Sequence, residues 1–270
     1  MIEKSIAVRA VALHAIAVVL VFLYVNLFSV WRKLGETFGL SVRDALPWII
    51  VSLLAALAIS LLSMRQWRMR VSWPWLAASV IACSAGLAIA DPDFPAKRIH
   101  VPEYFLLACV VWCSVPRRLC TTVTPFLVLA CTALYGMHDE FLQGLHPNRT
   151  YGLTDMLVNL CGAAGGTFAL LSFARPLPKG LGRFGAVLAF AVCSLLAGAI
   201  LFAWAATGFR NDIIPYWAPL PLLAGAFWVS LVCGALADPG NRVCARTLAS
   251  IAIAFLIYPV LTHVTHLDFA

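Results

Sequence analysis

The feature that most constrains this chain is its succession of apolar runs, nine of them, separated by short segments that hold nearly every charge. The runs fall at about 8–30, 46–64, 73–90, 101–115, 119–137, 153–173, 185–207, 216–237 and 247–263. A helix needs about 20 apolar residues to cross a bilayer. Within lipid every backbone N–H and C=O must find a partner in the protein, which a helix provides along its own length. The pattern therefore predicts an all-α fold: a polytopic integral membrane helical bundle of about nine transmembrane helices. The first run follows Lys4 and Arg9 as a signal sequence would. It is longer than the roughly 7–15 residues of a signal-peptide core, and no small-x-small cleavage site follows closely, so it reads as a retained span.

Composition supports this reading. Of the 270 residues, 62% are hydrophobic and 11% charged, against about 25% charged in a soluble domain. The net charge is +7, but the basic residues are scattered between apolar runs rather than clustered with aromatics. They fit membrane topology and contact with anionic lipid headgroups, and nucleic acid is excluded as a partner. The nine cysteines include no CxxC pair, so neither a zinc ribbon nor a thioredoxin-type site is indicated.

Charge also orients the chain. With the N-terminus inside, 12 of the 19 Lys and Arg fall on inner segments, among them Arg65, Arg68, Arg70, Arg117, Arg118, Arg175 and Lys179. The positive-inside bias thus predicts a cytoplasmic N-terminus in the cytoplasmic membrane and, with nine spans, an external C-terminus. Ten of the 12 Asp and Glu fall at or near the outer face. Acidic residues contribute little to topology, so their excess points to work for carboxylates there. The segment 31–44 reads as a short amphipathic helix lying on that face. The chain divides into an N-terminal two-span segment (1–71), a four-span core (72–175) and a C-terminal three-span segment (176–270).

The outer carboxylates sit in three pieces of sequence. In Lys97-Arg98-Ile99-His100-Val101-Pro102-Glu103-Tyr104, helical spacing places His100, Glu103 and Tyr104 on one face. In Tyr135-Gly136-Met137-His138-Asp139-Glu140-Phe141-Leu142-Gln143, residues Tyr135, Asp139 and Gln143 form a stripe, with Glu140 turned about 100° away. Arg149 follows, and then Asp155 and Asn159 share a face near the top of the sixth run. Gly162, Gly165 and Gly166 come next, repeating on the same side at helical spacing, and predict close helix packing. Ionisable groups at membrane depth cost about 2–3 kcal/mol each at a span centre and do not persist unpaired. Arg149 is expected to pair with Asp139, Glu140 or Asp155, and Lys97 or Arg98 with Glu103. Two readings follow: an ion-pair network that fixes a turn, or a site that also binds or transforms something.

The ordered set Lys97, His100, Glu103-Tyr104, Asp139-Glu140-x-x-Gln143, Arg149 and Asp155-x-x-x-Asn159-x-x-Gly162 resembles the VanZ-like family. The resemblance covers roughly 73–173, and the helices on either side go beyond the usual family module. It implies a small helical membrane module and a link to glycopeptide resistance, because the founding member is associated with resistance to teicoplanin.

The expected function is an extracytoplasmic site that binds or modifies a cell-envelope molecule, such as a lipid-linked sugar, a glycolipid or a peptidoglycan-related precursor. If the chain is an enzyme, Glu103, Asp139 and Glu140 are the candidate acid and base groups, since carboxylates sharing a partly dry site have separated pKa values. His100, Tyr104, Gln143, Arg149, Asp155 and Asn159 are the candidate binding residues. His100 with the carboxylates also has the donor chemistry for a divalent metal. The alternative is a non-enzymatic scaffold or ligand-binding protein whose charged cluster is structural. Transport is disfavoured, because the charges gather at one face and no paired broken helices occur. His263 and His266, three apart near the end of the sequence, read as incidental rather than as a metal pair.

Overall fold

The computed structural model describes residues 2–64, 71–115, 124–146, 149–174, 183–235, 239–265 and 269–270. The basic inner turns expected at 65–70, 116–118 and 176–180 lie outside these residues, as does His266.

The fold is all-α. Its helices are α1 (Ile2–Phe38), α2 (Leu40–Ser63), α3 (Trp73–Ile89), α4 (His100–Ser114), α5 (Thr124–Gly144), α6 (Leu153–Phe173), α7 (Arg183–Thr207), α8 (Leu220–Ala235), α9 (Pro239–Ile253) and α10 (Ile257–Thr265). Short 3-10 turns at Pro95–Ile99 and Ala254–Leu256 lead into α4 and join α9 to α10. Prolines mark several starts: Pro74 lies in the first turn of α3, and Pro102 and Pro125 lie in the first turns of α4 and α5. A first-turn N–H has no helical partner in any case, so proline loses nothing there.

Five helical stretches among the described residues are long and apolar enough to cross a membrane: Ala7–Phe38, Leu40–Ser60, Leu153–Phe173, Phe190–Thr207 and Arg246–Thr265. The other runs of the expected nine fall short for two physical reasons. Trp73–Ile89 and Leu220–Val232 are apolar but shorter, as is the 15-residue α4. Helix α5 has 21 residues but ends in a polar turn carrying His138, Asp139, Glu140 and Gln143.

The surface helix expected over 31–44 is not a separate element. Helix α1 continues to Phe38 and stops at Gly39, whose φ of 90° is left-handed and open to glycine at no steric cost. The Gly39 N–H donates back to the Gly35 carbonyl at 3.0 Å, closing the helix end in the usual αL manner, and α2 packs back against α1.

Helix α6 sits between α3, α4 and α5, and its glycines explain how closely they approach. A Cβ on Gly162 would lie 2.6 Å from the Val101 carbonyl oxygen, and one on Gly166 2.5 Å from that of Phe105, both on α4. Gly165 faces the opposite neighbour and abuts Cys83 of α3. The three glycines therefore serve two interfaces rather than the single face read from their spacing. Helices α7 and α8 pair, α9 packs on α8 and α5, and α1 lies against α4 and α5. One apolar cluster joins Val21 of α1, Leu107 of α4, Phe141 of α5, Phe202 of α7, Leu222 of α8 and Leu248 of α9. Phe141 is its aromatic hub, with ring centroids 4.7 Å from Phe202 and 4.9 Å from Tyr258.

Candidate functional site

The ends of α4, α5 and α6 bring the three polar sequence pieces together. His100, Glu103 and Tyr104 come from the first turns of α4, Asp139, Glu140 and Gln143 from the last turns of α5, and Asp155 and Asn159 from the first turns of α6. All eight are buried, with Asp139 and Glu140 at 0% exposure. The cluster thus lies inside the bundle.

It divides into a half in which both Glu140 oxygens and one Asp155 oxygen have partners, with Asp155 Oδ1 and Asn159 Oδ1 left unpaired, and a half with fewer partners still. In the first, Glu140 Oε1 accepts from Gln143 Nε2 at 3.1 Å and Asn159 Nδ2 at 3.5 Å, while Oε2 accepts from the Gly152 N–H at 3.3 Å. Asn159 Nδ2 also reaches the Gly136 carbonyl at 3.2 Å. Arg149 donates to Gln143 Oε1, so the guanidinium meets Glu140 through an amide rather than directly. Beside this relay, Lys97 Nζ pairs with Asp155 Oδ2 at 2.8 Å.

These partners correct two expected pairings. No described carboxylate pairs directly with Arg149, and Glu103 pairs with neither Lys97 nor Arg98. Lys97 takes Asp155, and Arg98 donates to the Leu87 carbonyl at 3.2 Å. Tyr135 leaves the expected stripe altogether, because its hydroxyl meets His14 Nδ1 of α1 at 3.0 Å.

The second half is His100, Glu103, Tyr104 and Asp139. His100 Nδ1 lies 3.2 Å from Glu103 Oε2 and 4.0 Å from Asp139 Oδ2, close contacts that are not aligned hydrogen bonds. His100 Nδ1, Glu103 Oε2, the Tyr104 hydroxyl and both Asp139 carboxyl oxygens are buried without a hydrogen-bond partner. Buried polar groups are almost always hydrogen-bonded in folded proteins, and each one left unpaired costs about 1–3 kcal/mol.

His100 and Asp139 lie at helix ends outside the five long spans, and their titration reflects this crowding. Burial alone would push the His100 imidazole down, but contact with Glu103 and the charges of Glu103, Asp139 and Glu140 raise it to about 9. Burial raises the Asp139 carboxyl to about 6, with Glu103 adding to the rise and His100 opposing it. Glu140 is also pushed up, by burial first and then by Asp139. The His100 imidazole therefore holds its proton more tightly than usual, and so do the Asp139 and Glu140 carboxyls.

Compared with known proteins, the chain matches no family model, no curated protein and no solved structure. Functional inference therefore rests on the geometry. Among the described residues, no three His, Cys, Asp or Glu groups are arranged to hold a metal ion. His263 Nδ1 donates to the Pro259 carbonyl at 2.7 Å, and its ring stacks on Tyr216.

Sequence spacing missed the contribution of α1. The Tyr24 hydroxyl donates to the Glu103 carbonyl at 3.2 Å, and its ring lies 6.0 Å from that of Tyr104. Arg149 donates to the Val25 carbonyl at 3.3 Å, with its guanidinium carbon 5.0 Å from the Phe28 ring centre. The cue was present: Tyr24 and Asn26 interrupt the apolar stretch 15–28. The C-terminal pair also reaches the site loop. Ala270 donates to the Gly144 carbonyl and accepts from the Tyr151 N–H, each at 2.8 Å, bracketing the loop that carries Arg149.

Proposed function

We propose that this chain is a VanZ-like protein of the cytoplasmic membrane whose His100–Glu103–Tyr104–Asp139 group, facing the extracytoplasmic side, binds and modifies a cell-envelope molecule. A lipid-linked sugar, a glycolipid or a peptidoglycan-related precursor is the substrate class. The N-terminus lies inside. The observation that carries this reading is the set of five polar atoms on His100, Glu103, Tyr104 and Asp139 that are buried together without a hydrogen bond. A purely structural network would close on itself, as Glu140 does with Gln143, Asn159 and the Gly152 N–H. In the open half, Asp139 and Glu103 are the acid and base groups, and His100 holds their combined charge in check.

The scaffold alternative draws on the other half, where both Glu140 oxygens and Asp155 Oδ2 have partners. One comparison separates the two readings. Full-length wild type, Asp139→Asn and Glu103→Gln are purified in mild detergent, and the lipids and glycans that come with them are identified by mass spectrometry. Wild type is expected to retain a sugar-bearing envelope lipid. The variants should remain monodisperse and carry at least about tenfold less of it. A wild type that carries none, or variants that carry as much, would favour the scaffold.

A further inference from the structure

Arg149 stands out from the other charges of the site. Its guanidinium is half-buried and fixed on three sides: by the Gln143 amide oxygen, by the Val25 carbonyl at 3.3 Å and by the face of Phe28 at 5.0 Å. All three supports are neutral. Among the described residues no carboxylate lies within ion-pair distance of it, whereas nearby Lys97 has its own carboxylate in Asp155. Among the described residues two of the five guanidinium N–H groups have acceptors, in the Val25 carbonyl and the Gln143 amide oxygen. A cation held still by neutral acceptors and an aromatic ring keeps its charge available and has already lost its rotamer freedom.

The surroundings narrow the acceptor. On its inner side the guanidinium faces the Gln143–Glu140 relay and the buried carboxylates, which repel an anion. On its outer side lies the ring of Phe28, which is 43% exposed on α1. Phe28 belongs to a helix long and apolar enough to cross a membrane. An anionic group approaching from there would be followed by an apolar tail. A planar fork of donors suits the oxygens of a phosphate.

We infer that Arg149, cradled by Val25 and Phe28 of α1 and by Gln143, is the receptor for the phosphate group of the envelope lipid, so that α1 is part of the binding site. This rests on the proposed function and names the anionic part of its substrate. It places the phosphate at the rim and leaves the unsatisfied carboxylates facing the next portion of the molecule.

The test uses full-length protein in detergent, with binding followed by native mass spectrometry and ligand-dependent thermal stabilisation. The probes are farnesyl phosphate, farnesol and inorganic pyrophosphate, with a neutral glycolipid as a fourth. Farnesyl phosphate is expected to bind and farnesol not to. Arg149→Gln should weaken binding roughly tenfold to hundredfold, and Arg149→Lys less, because charge survives but the fork is lost. Phe28→Ala, which removes the ring beside the guanidinium, should also weaken it and covers the case in which Arg149→Gln fails to fold. Arg32→Gln removes an exposed charge from the same helix and should change nothing. Pyrophosphate binding as tightly as farnesyl phosphate would assign the receptor to free phosphate, and weaker binding would assign it to lipid. Equal loss in Arg32→Gln and Arg149→Gln, or equal binding of farnesol, would overturn the inference. Binding of the neutral glycolipid but not of farnesyl phosphate would overturn it and leave the proposed function standing, whereas binding of neither would count against both.

Discussion

At the scale of single residues, two carboxylates that look alike in the sequence have opposite relations to the fold. Asp155 is 2% exposed and holds Lys97 at 2.8 Å, while Asp139 is 0% exposed and has no hydrogen-bond partner for either oxygen. Asp155→Asn should therefore destabilise. Because Lys97 is a third exposed, at 34%, the loss should be about 1–2 kcal/mol rather than the 3–5 of a fully buried broken pair. Asp139→Asn removes a charge that the interior does not satisfy, so its melting temperature should stay level or rise while any ligand-dependent property is lost. Thermal melts of the two purified variants beside wild type check both outcomes. The site also has a pH signature. His100 is raised from 6.5 to about 9 in the fold, so its contribution to stability is complete below pH 6.5 and is lost as pH rises through 9. Asp139 is raised from 3.8 to about 6, which has the same sign over a lower window, since the folded state holds its proton more tightly. The melting temperature should fall between pH 6.5 and 9, and fall less steeply in His100→Gln. A flat wild-type profile would remove the His100–Glu103 ion pair from the account. The identities of these residues were legible in the sequence, because charge at membrane depth is rare. Their partners were not. Spacing along one helix says which residues share a face, but whether Arg149 meets Glu140 or Gln143 depends on how three helix ends meet.

At the scale of helices, what was legible followed from periodicity and from residues with only one use. Gly162 and Gly166 recur one turn apart, and α4 comes close enough that its backbone oxygens would sit 2.6 and 2.5 Å from added Cβ atoms. Gly165 broke the pattern because a residue three along faces a different neighbour when a helix is packed on both sides. Gly166→Val should force α4 and α6 apart by overpacking, at a cost of at least about 1–3 kcal/mol, and should disturb the site through Tyr104 and Asn159. Gly39→Ala acts by strain alone. No atom stands near its added Cβ except Ser41 Oγ at 4.0 Å, but the φ of 90° disfavours any L side chain and costs about 1–2 kcal/mol. Yield of monodisperse protein and thermal melts should rank Gly166→Val as the more damaging and Gly39→Ala as mild. The reverse order would mean that the turn between α1 and α2 matters more to the fold than the α4–α6 contact. The continuation of α1 through 31–38 was not legible, since an amphipathic stretch after an apolar run reads equally as a surface helix.

At the scale of the whole molecule, the difference between nine apolar runs and five long apolar helices is a question of what surrounds each helix. A helix enclosed by protein needs neither full length nor full apolarity, because its neighbours rather than lipid meet its side chains. Helix α5 is such a case: 16 of its 21 residues are buried, including its polar end. Helix α4, at 15 residues, rises only about 22 Å, less than the hydrocarbon thickness of about 30 Å. The 3-10 turn Pro95–Ile99 precedes it. Helix α3, at 17 residues, falls short by a few ångströms. Nine crossings, the number the apolar runs predict, would require these shorter helices to cross beside the five long ones. Reporter fusions decide it. A fusion at Lys179 should report the cytoplasm and one following Ala270 the exterior, with the polar site on the same side as Ala270, because Ala270 bonds to Gly144 and Tyr151 at the site loop. That hydrogen-bonded link makes the test stringent. If the second fusion reported the cytoplasm, the site would face inward with it. The excess of carboxylates would then need a cytoplasmic explanation, and Arg149 would face the inner leaflet rather than the cell envelope.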